Sequence, residues 1–407
     1  MMRTGKEFVG EILGPVMTGK QILFPMAGTA EIGQRLAGVE SKYFYYDADI
    51  NTELGLLSSM YFNVFPTFSW DAYNFEAEAL GQAIIIGKYG MPDVDTSNPL
   101  MKSFDDLKNI KWPTENPLDA GKYPTLIRHN ELVEHYTGMA PQLFTGAVST
   151  FSLACLLMTF TEFARLIKKE PEKAHEVMRY LVDDIHTPLI VSVAEKYPGI
   201  TFMFADAWEA VPNISPKTQE EFAFTYFDRL LENTKGVDAT VGWWMSYGEG
   251  SMPDPAAYLK RKLQYNHRIA RTCTEDCPGE VYHQVAVEAD VPLFVHIPSL
   301  TILDGPEDKI IEFTREIAKT QRCGIAPEKF SWSALVPANA KIEHVLASKA
   351  AGNAFGVNPC PIPEEFDRID VEVEKLTGTF EDFCRQAAKE NPDGFTFKWL
   401  DQAEFSG

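Results

Sequence analysis

From about residue 137 onward the chain repeats one pattern: a short apolar run, a polar or Gly/Pro turn, then 10 to 18 residues with helical spacing of apolar positions. Six runs carry it: QLFTGAVS (142–149), ITFMFADA (200–207), ATVGWWMSY (239–247), RIARTCTE (268–275), PLFVHIPS (292–299) and FSWSALVP (330–337). Each is too continuously apolar to leave one face in water, as expected of strands covered on both sides. The alternation predicts parallel strands joined by crossover helices. Between them, 215–236 opens with Ser215 as N-cap and Pro216 in the first helical position and closes at Gly236. The segment 305–321 starts with Pro306 and acidic residues at the positive end of its dipole.

Upstream, QILFPMAG (21–28) and NVFPTFSWD (63–71) read as two more strands, which makes eight. Eight buried strands interleaved with helices predict an α/β fold, a single-domain (β/α)8 TIM-type barrel, although a doubly wound open sheet gives a similar alternation. The barrel is expected over 21–356, after a lead segment 1–20 and before a helical, polar extension 357–407. The stretch 98–117 breaks the rhythm and is expected to pack beside the barrel as an excursion.

Length alone, 407 residues, would suggest two or three domains, but α/β barrels of this size fold around one core. With 58 acidic against 37 basic residues the net charge of −21 repels phosphate backbones and anionic lipid, which argues against nucleic acid as a partner. No run of about 18 apolar residues is present and no charged leader opens the chain, so no membrane segment and a cytoplasmic location are expected. Six cysteines in such a chain do not form a secreted disulfide framework.

Barrel chemistry sits at the C-terminal ends of the strands. Here those ends are mostly polar: after Met26 come Asp71, Ser149 and Thr150, Asp206 with Trp208, Tyr247 and Glu249, Cys273 with Glu275 and Asp276, His296 with Ser299, then Ser333. Asp206 ends an apolar strand, where an unpaired carboxylate is costly to bury, so it is expected to meet a substrate, a proton or a buried partner. Asp71 serves equally well as a helix cap. Glu249 lies between Gly248 and Gly250, in a loop able to approach a ligand or to face solvent. A lone histidine in an apolar strand, as His296 is, is more often a satisfied core residue than a metal ligand.

If RTCTEDCPG (271–279) stays extended, Cys273, Glu275 and Cys277 share one side. Two thiolates and a carboxylate would begin a zinc site, but CxxxC lacks the remaining ligand signature, and a small buried Cys273 before a turn fits as well. No GxGxxG, GxxxxGK[ST] or GxSxG motif appears, so nucleotide binding and a nucleophile elbow have no support. Trp243, Trp244 and Trp332 suit either a flat or methylated substrate or the core.

Four landmarks in order resemble the uroporphyrinogen decarboxylase superfamily over roughly residues 20–355. They are SWDAYNFEAEALG (69–81), GAVSTFSLACLLMTFTEFARLIKKEPEKA (146–174), FADAWEAVPNISPKTQEEF (204–222) and PSLTILDGPEDKI (298–310). The resemblance implies a (β/α)8 barrel and either porphyrinogen decarboxylation or methyl transfer to a corrinoid protein. Decarboxylases of this family carry an Arg-Gln-Ala-Gly-Arg element near the N-terminus that binds propionates. Here that place reads PMAGTAEIGQRLAG, with Arg35 alone, a poor host for an eight-carboxylate porphyrinogen. The thiol-methylating branch holds zinc through His-x-Cys after the fifth strand and Cys after the eighth, where this chain has MSYGEG and SWSALVP.

What remains resembles the substrate-side methyltransferases that demethylate small compounds, aromatic methyl ethers among them, and pass the methyl group to cobalt(I) of a corrinoid carried by a separate partner protein. On that resemblance Asp206, Glu249 or Glu275 is expected to protonate the leaving oxygen. Met26, Asp71, Trp208, Trp244, Tyr247 and Ser333 are expected to bind the substrate. If zinc is bound, Glu249, Cys273, Glu275 and His296 are its expected ligands. Methylamine or thiol substrates, a porphyrinogen decarboxylase and a non-catalytic binding barrel stay open, and a homo-oligomer is compatible with all of them.

Overall fold

The computed structural model describes residues 2–67, 74–205, 208–244, 248–271 and 277–400, Trp244 by its backbone only. Its strands are β1 (Met26–Ala27), β2 (Ile84–Ile85), β3 (Asp93–Val94), β4 (Leu143–Phe144), β5 (Ile200–Ala205), β6 (Ala239–Trp244), β7 (Ile269–Arg271), β8 (Leu293–Ile297) and β9 (Phe330–Leu335). Two parallel arcs form the wall, β1–β9–β8–β7 and β4–β5–β6, while β2 and β3 make a small antiparallel hairpin outside it. All six downstream strands fall inside the apolar runs that predict them.

Closure distinguishes the two folds that such alternation allows. Met26 pairs with Ala334 and Ala27 with Leu335, so the first stave lies beside the last. A doubly wound sheet places its first strand centrally, away from its last. The fold is a (β/α)8 barrel. The predicted strand at 63–71 has no strand in its described part, 63–67, although there the Thr67 hydroxyl donates to the Met26 carbonyl at 2.7 Å and holds that segment beside β1; residues 68–71 lie outside the described ones.

Ser215 caps its helix as expected, its hydroxyl accepting from the Thr218 amide at 3.1 Å. Three outer helical stretches each contain a π-helical turn, at Leu181–His186, Glu220–Phe224 and Ala318–Arg322. The excursion packs beside the barrel: the Met101 amide donates to Leu157 at 2.8 Å and the Trp112 indole to the Ile185 carbonyl at 3.1 Å.

The C-terminal extension is less polar in effect than its sequence suggests. Phe366, Phe380, Phe395 and Trp399 are buried in the apolar cluster that also holds Phe24, Trp332 and the helix Ala48–Phe62. Each such side chain contributes about 1.5–3 kcal/mol of burial. The last turn is fastened by Glu53, which is fully buried and accepts from the Thr396 amide at 2.5 Å, the Phe397 amide at 3.2 Å and the Trp399 indole at 2.9 Å. No single helix among the described residues is long and apolar enough to cross a membrane.

Candidate active site

The C-terminal ends of the strands define a mouth, and the polar groups around it fall into four sets. Beneath the rim, His296 of β8 and Ser333 of β9 are register partners, and the Ser333 hydroxyl is hydrogen bonded to His296 Nδ1. Burial, reinforced by the charge of Arg268, lowers the His296 pKa to about 4, so the imidazole is neutral at pH 7. Ser333, expected to touch substrate, is instead a buried partner of that imidazole. Met26, expected in the same role, has a side chain fully enclosed in the apolar core. Only its carbonyl serves the rim, accepting from Thr67 and, at 3.3 Å, from Thr29.

At the end of β4, Glu76 is fully buried. Its Oε1 accepts from the Val148 amide at 2.8 Å and lies 3.4 Å from His186 Nε2. His186 Nδ1 is 3.0 Å from the Thr150 hydroxyl. Burial raises the Glu76 carboxyl above the ordinary range, against the pull of His186. This set escapes a reading confined to strand ends, since Glu76 sits in the helix Phe75–Ala79. Its signal is a glutamate flanked by Phe75 and Ala77 in an alanine-rich turn.

After β5, Ser152 donates to Glu209 Oε2 at 2.5 Å and accepts from the Trp208 amide at 3.1 Å, while Gln219 donates to the Glu209 carbonyl at 2.9 Å. Glu209 is fully buried, so a second carboxyl unremarked in the sequence helps to fix this loop. Trp208 stands 38% exposed and stacks on Phe160 with centroids 5.4 Å apart, which leaves a flat apolar face at the rim.

Between β6 and β7, the carboxylate of Glu249 is wholly buried and ion-paired with Lys262, itself buried, and its other oxygen accepts from the Tyr282 hydroxyl at 3.3 Å. An open, glycine-flanked acid or metal ligand is expected here. The observed group has its charge matched and both oxygens occupied, so neither expected role is open to it without breaking a buried ion pair. Arg271, at the end of β7, lies near the rings of Tyr282 and Phe313. Cys277 is buried in the same neighbourhood, its thiol pKa pushed up by burial and by the charge of Glu249.

Asp71, Asp206, Tyr247, Cys273, Glu275 and the Trp244 side chain lie outside the described residues. Among the described residues no group of three His, Cys, Asp or Glu side chains is placed to hold a metal ion. His296, an expected ligand if zinc is bound, is hydrogen bonded through Nδ1 to Ser333.

A family model described as uroporphyrinogen decarboxylase (URO-D) matches residues 27–319. Comparison with curated protein sequences gives no match. Among solved structures, a methyltransferase from Methanosarcina mazei superposes with a TM-score of 0.62 at 17% identity, covering 86% of this chain and 98% of that one. At that identity the likeness is one of fold.

Proposed function

The chain belongs to the uroporphyrinogen decarboxylase family, and from that premise we propose that it is a methyltransferase, moving a methyl group from a small methylated compound to a corrinoid on a partner protein. The substrate class we favour is an aromatic methyl ether. One observation carries the choice against decarboxylation. The helix after β1, Thr29–Leu36, turns Thr29, Ala30 and Glu31 inward at its start, and its single guanidinium, Arg35, is exposed on its last turn. A polycarboxylate bound there would meet an acidic group where it needs a cation.

A cobalt(I) corrinoid would supply the nucleophile for methyl. The chain's own task is then to hold the ether in line, exclude water and protonate the departing oxygen, since an alkoxide or phenoxide leaves poorly. Asp206 and Glu275, which follow β5 and β7 in sequence, are the proposed acids; a carboxyl in a partly dry mouth keeps its proton more readily than one in water. Glu249 is assigned to holding the β6–β7 side through Lys262. Trp208, exposed after β5, gives the rim an apolar face suited to a flat macrocycle or aryl ring. Zinc has no adequate ligand set among the described residues, and no step is assigned to it.

The test is to mix the protein with a methoxylated aromatic and a reduced corrinoid protein and follow the methyl-cobalt spectrum. Its appearance supports the reading. Coproporphyrinogen released from uroporphyrinogen, with no methyl transfer, would replace it by decarboxylation; ligand binding without either product would point to a binding barrel.

A further inference from the structure

Away from the mouth, at the end of the barrel where β9 begins, two thiols from distant parts of the chain meet. Cys323 closes the helical stretch before β9 and Cys360 opens the C-terminal extension; their sulfurs are 3.8 Å apart and both lie close to the Pro361 carbonyl oxygen, at 3.5 and 3.4 Å. Both are part-exposed, whereas Cys155, Cys277 and Cys384 are buried. The backbone on either side is anchored. Arg322, almost fully buried, donates to the carbonyls of Phe355 and Val357 and to Asn358 Oδ1, and His283 Nε2 is 2.8 Å from the Cys323 carbonyl.

We propose that Cys323 and Cys360 form a reversible disulfide that clamps the C-terminal extension to the barrel. A disulfide needs its sulfurs about 2.05 Å apart, so thiols already in van der Waals contact reach it by side-chain rotation while their anchored backbones stay in place. The oxidant is a low-molecular-weight disulfide. The Cys360 thiolate attacks one of its sulfurs and expels a small thiolate. Cys323, deprotonated by that leaving group, attacks the Cys360 sulfur of the mixed disulfide and expels the second small thiolate. Two protein thiols are oxidised, one small disulfide is reduced to two thiols, and the protons pass to them. Burial and the neighbouring Cys360 push the Cys323 thiol up to about 12, which leaves the first attack to Cys360.

The bridge would tie residue 360 to residue 323 across 37 positions of sequence, holding down the short helix Pro363–Phe366, whose Phe366 packs on Phe355. Two thiolates on one tetrahedral zinc, with Zn–S near 2.3 Å, also stand at about this separation, so metal content is part of the test.

Full-length protein is incubated with hydroxyethyl disulfide, alkylated in denaturant and mapped by mass spectrometry. We expect a 323–360 cross-linked peptide that dithiothreitol removes, a stable mixed disulfide on Cys360 in C323S, and proteolysis within 367–377 slowed on the order of tenfold in the oxidised form. Failure of both thiols to leave the alkylatable pool, or a bridge to a different cysteine, overturns the proposal. So does one equivalent of zinc in purified protein that is lost in C360S.

Discussion

The two sides of the mouth bury carboxylates by different means. On the β6–β7 side Glu249 meets Lys262 and Tyr282, a full counter-charge plus a hydroxyl, all enclosed. On the β4–β5 side Glu76 and Glu209 meet an amide, an imidazole and a serine hydroxyl. Removing either partner of a buried carboxylate–ammonium pair strands the other. A carboxylate held by weaker donors in a dry setting keeps a tunable proton, as the raised Glu76 carboxyl does. The contrast sets a paired carboxylate between β6 and β7 against a carboxyl beside β4 whose neutral form burial favours.

The largest expected effect tests the β6–β7 side. Lys262→Met should lower unfolding free energy by about 3–5 kcal/mol, read by urea denaturation, and Glu249→Leu/Lys262→Met should recover most of it. A single-variant loss below about 1 kcal/mol would erase the contrast. On the other side, Trp208→Ala should leave the melting midpoint in place and slow the proposed methyl transfer about tenfold, or about 1.4 kcal/mol. Equal losses of both would make Trp208 a packing residue.

Smaller effects sharpen the comparison through pH. A carboxyl raised in the folded state gives stability that is full below its unfolded pKa and fades as pH climbs through the folded value. Glu76→Gln removes that slope. The variant should therefore gain on wild type as pH rises above about 4.5, measured by denaturant midpoints; parallel curves would show that Glu76 does not titrate there.

His296 has the opposite sign. Its depressed pKa of about 4 means stability is full above about 6.5, the unfolded value, and falls as pH drops towards 4. An NMR titration placing this imidazole above 6.5 would contradict its burial, and Ser333→Ala should cost only about 1 kcal/mol.

Much of the barrel was readable because long apolar runs with helices between them can satisfy few architectures. The pairing of Met26 with Ala334 was not, since register between chain ends leaves no local mark. The β2–β3 hairpin was hidden for a different reason: only Ile84–Ile85 and Asp93–Val94 pair, too short a ladder to produce alternation. At the site, the sequence located the rim at the strand ends but not the Glu76–His186 contact, whose members lie far apart in the chain. Lys262 was in principle visible. It shares the buried helix face of Tyr258, Leu259 and Tyr265, where a lysine needs a carboxylate partner.

The π-helical turn Leu181–His186 has a consequence for engineering. A wide turn of this kind holds one residue more than an α-turn in the same span, and His186 is its last member. Deleting Val182 would restore regular winding but rotate everything on one flank by about 100° relative to the other. Either the imidazole leaves Thr150 and Glu76, or the following segment Thr187–Lys196 lifts its apolar stripe off the wall. Homologues that lack the extra residue should therefore lack the histidine–glutamate pair as well.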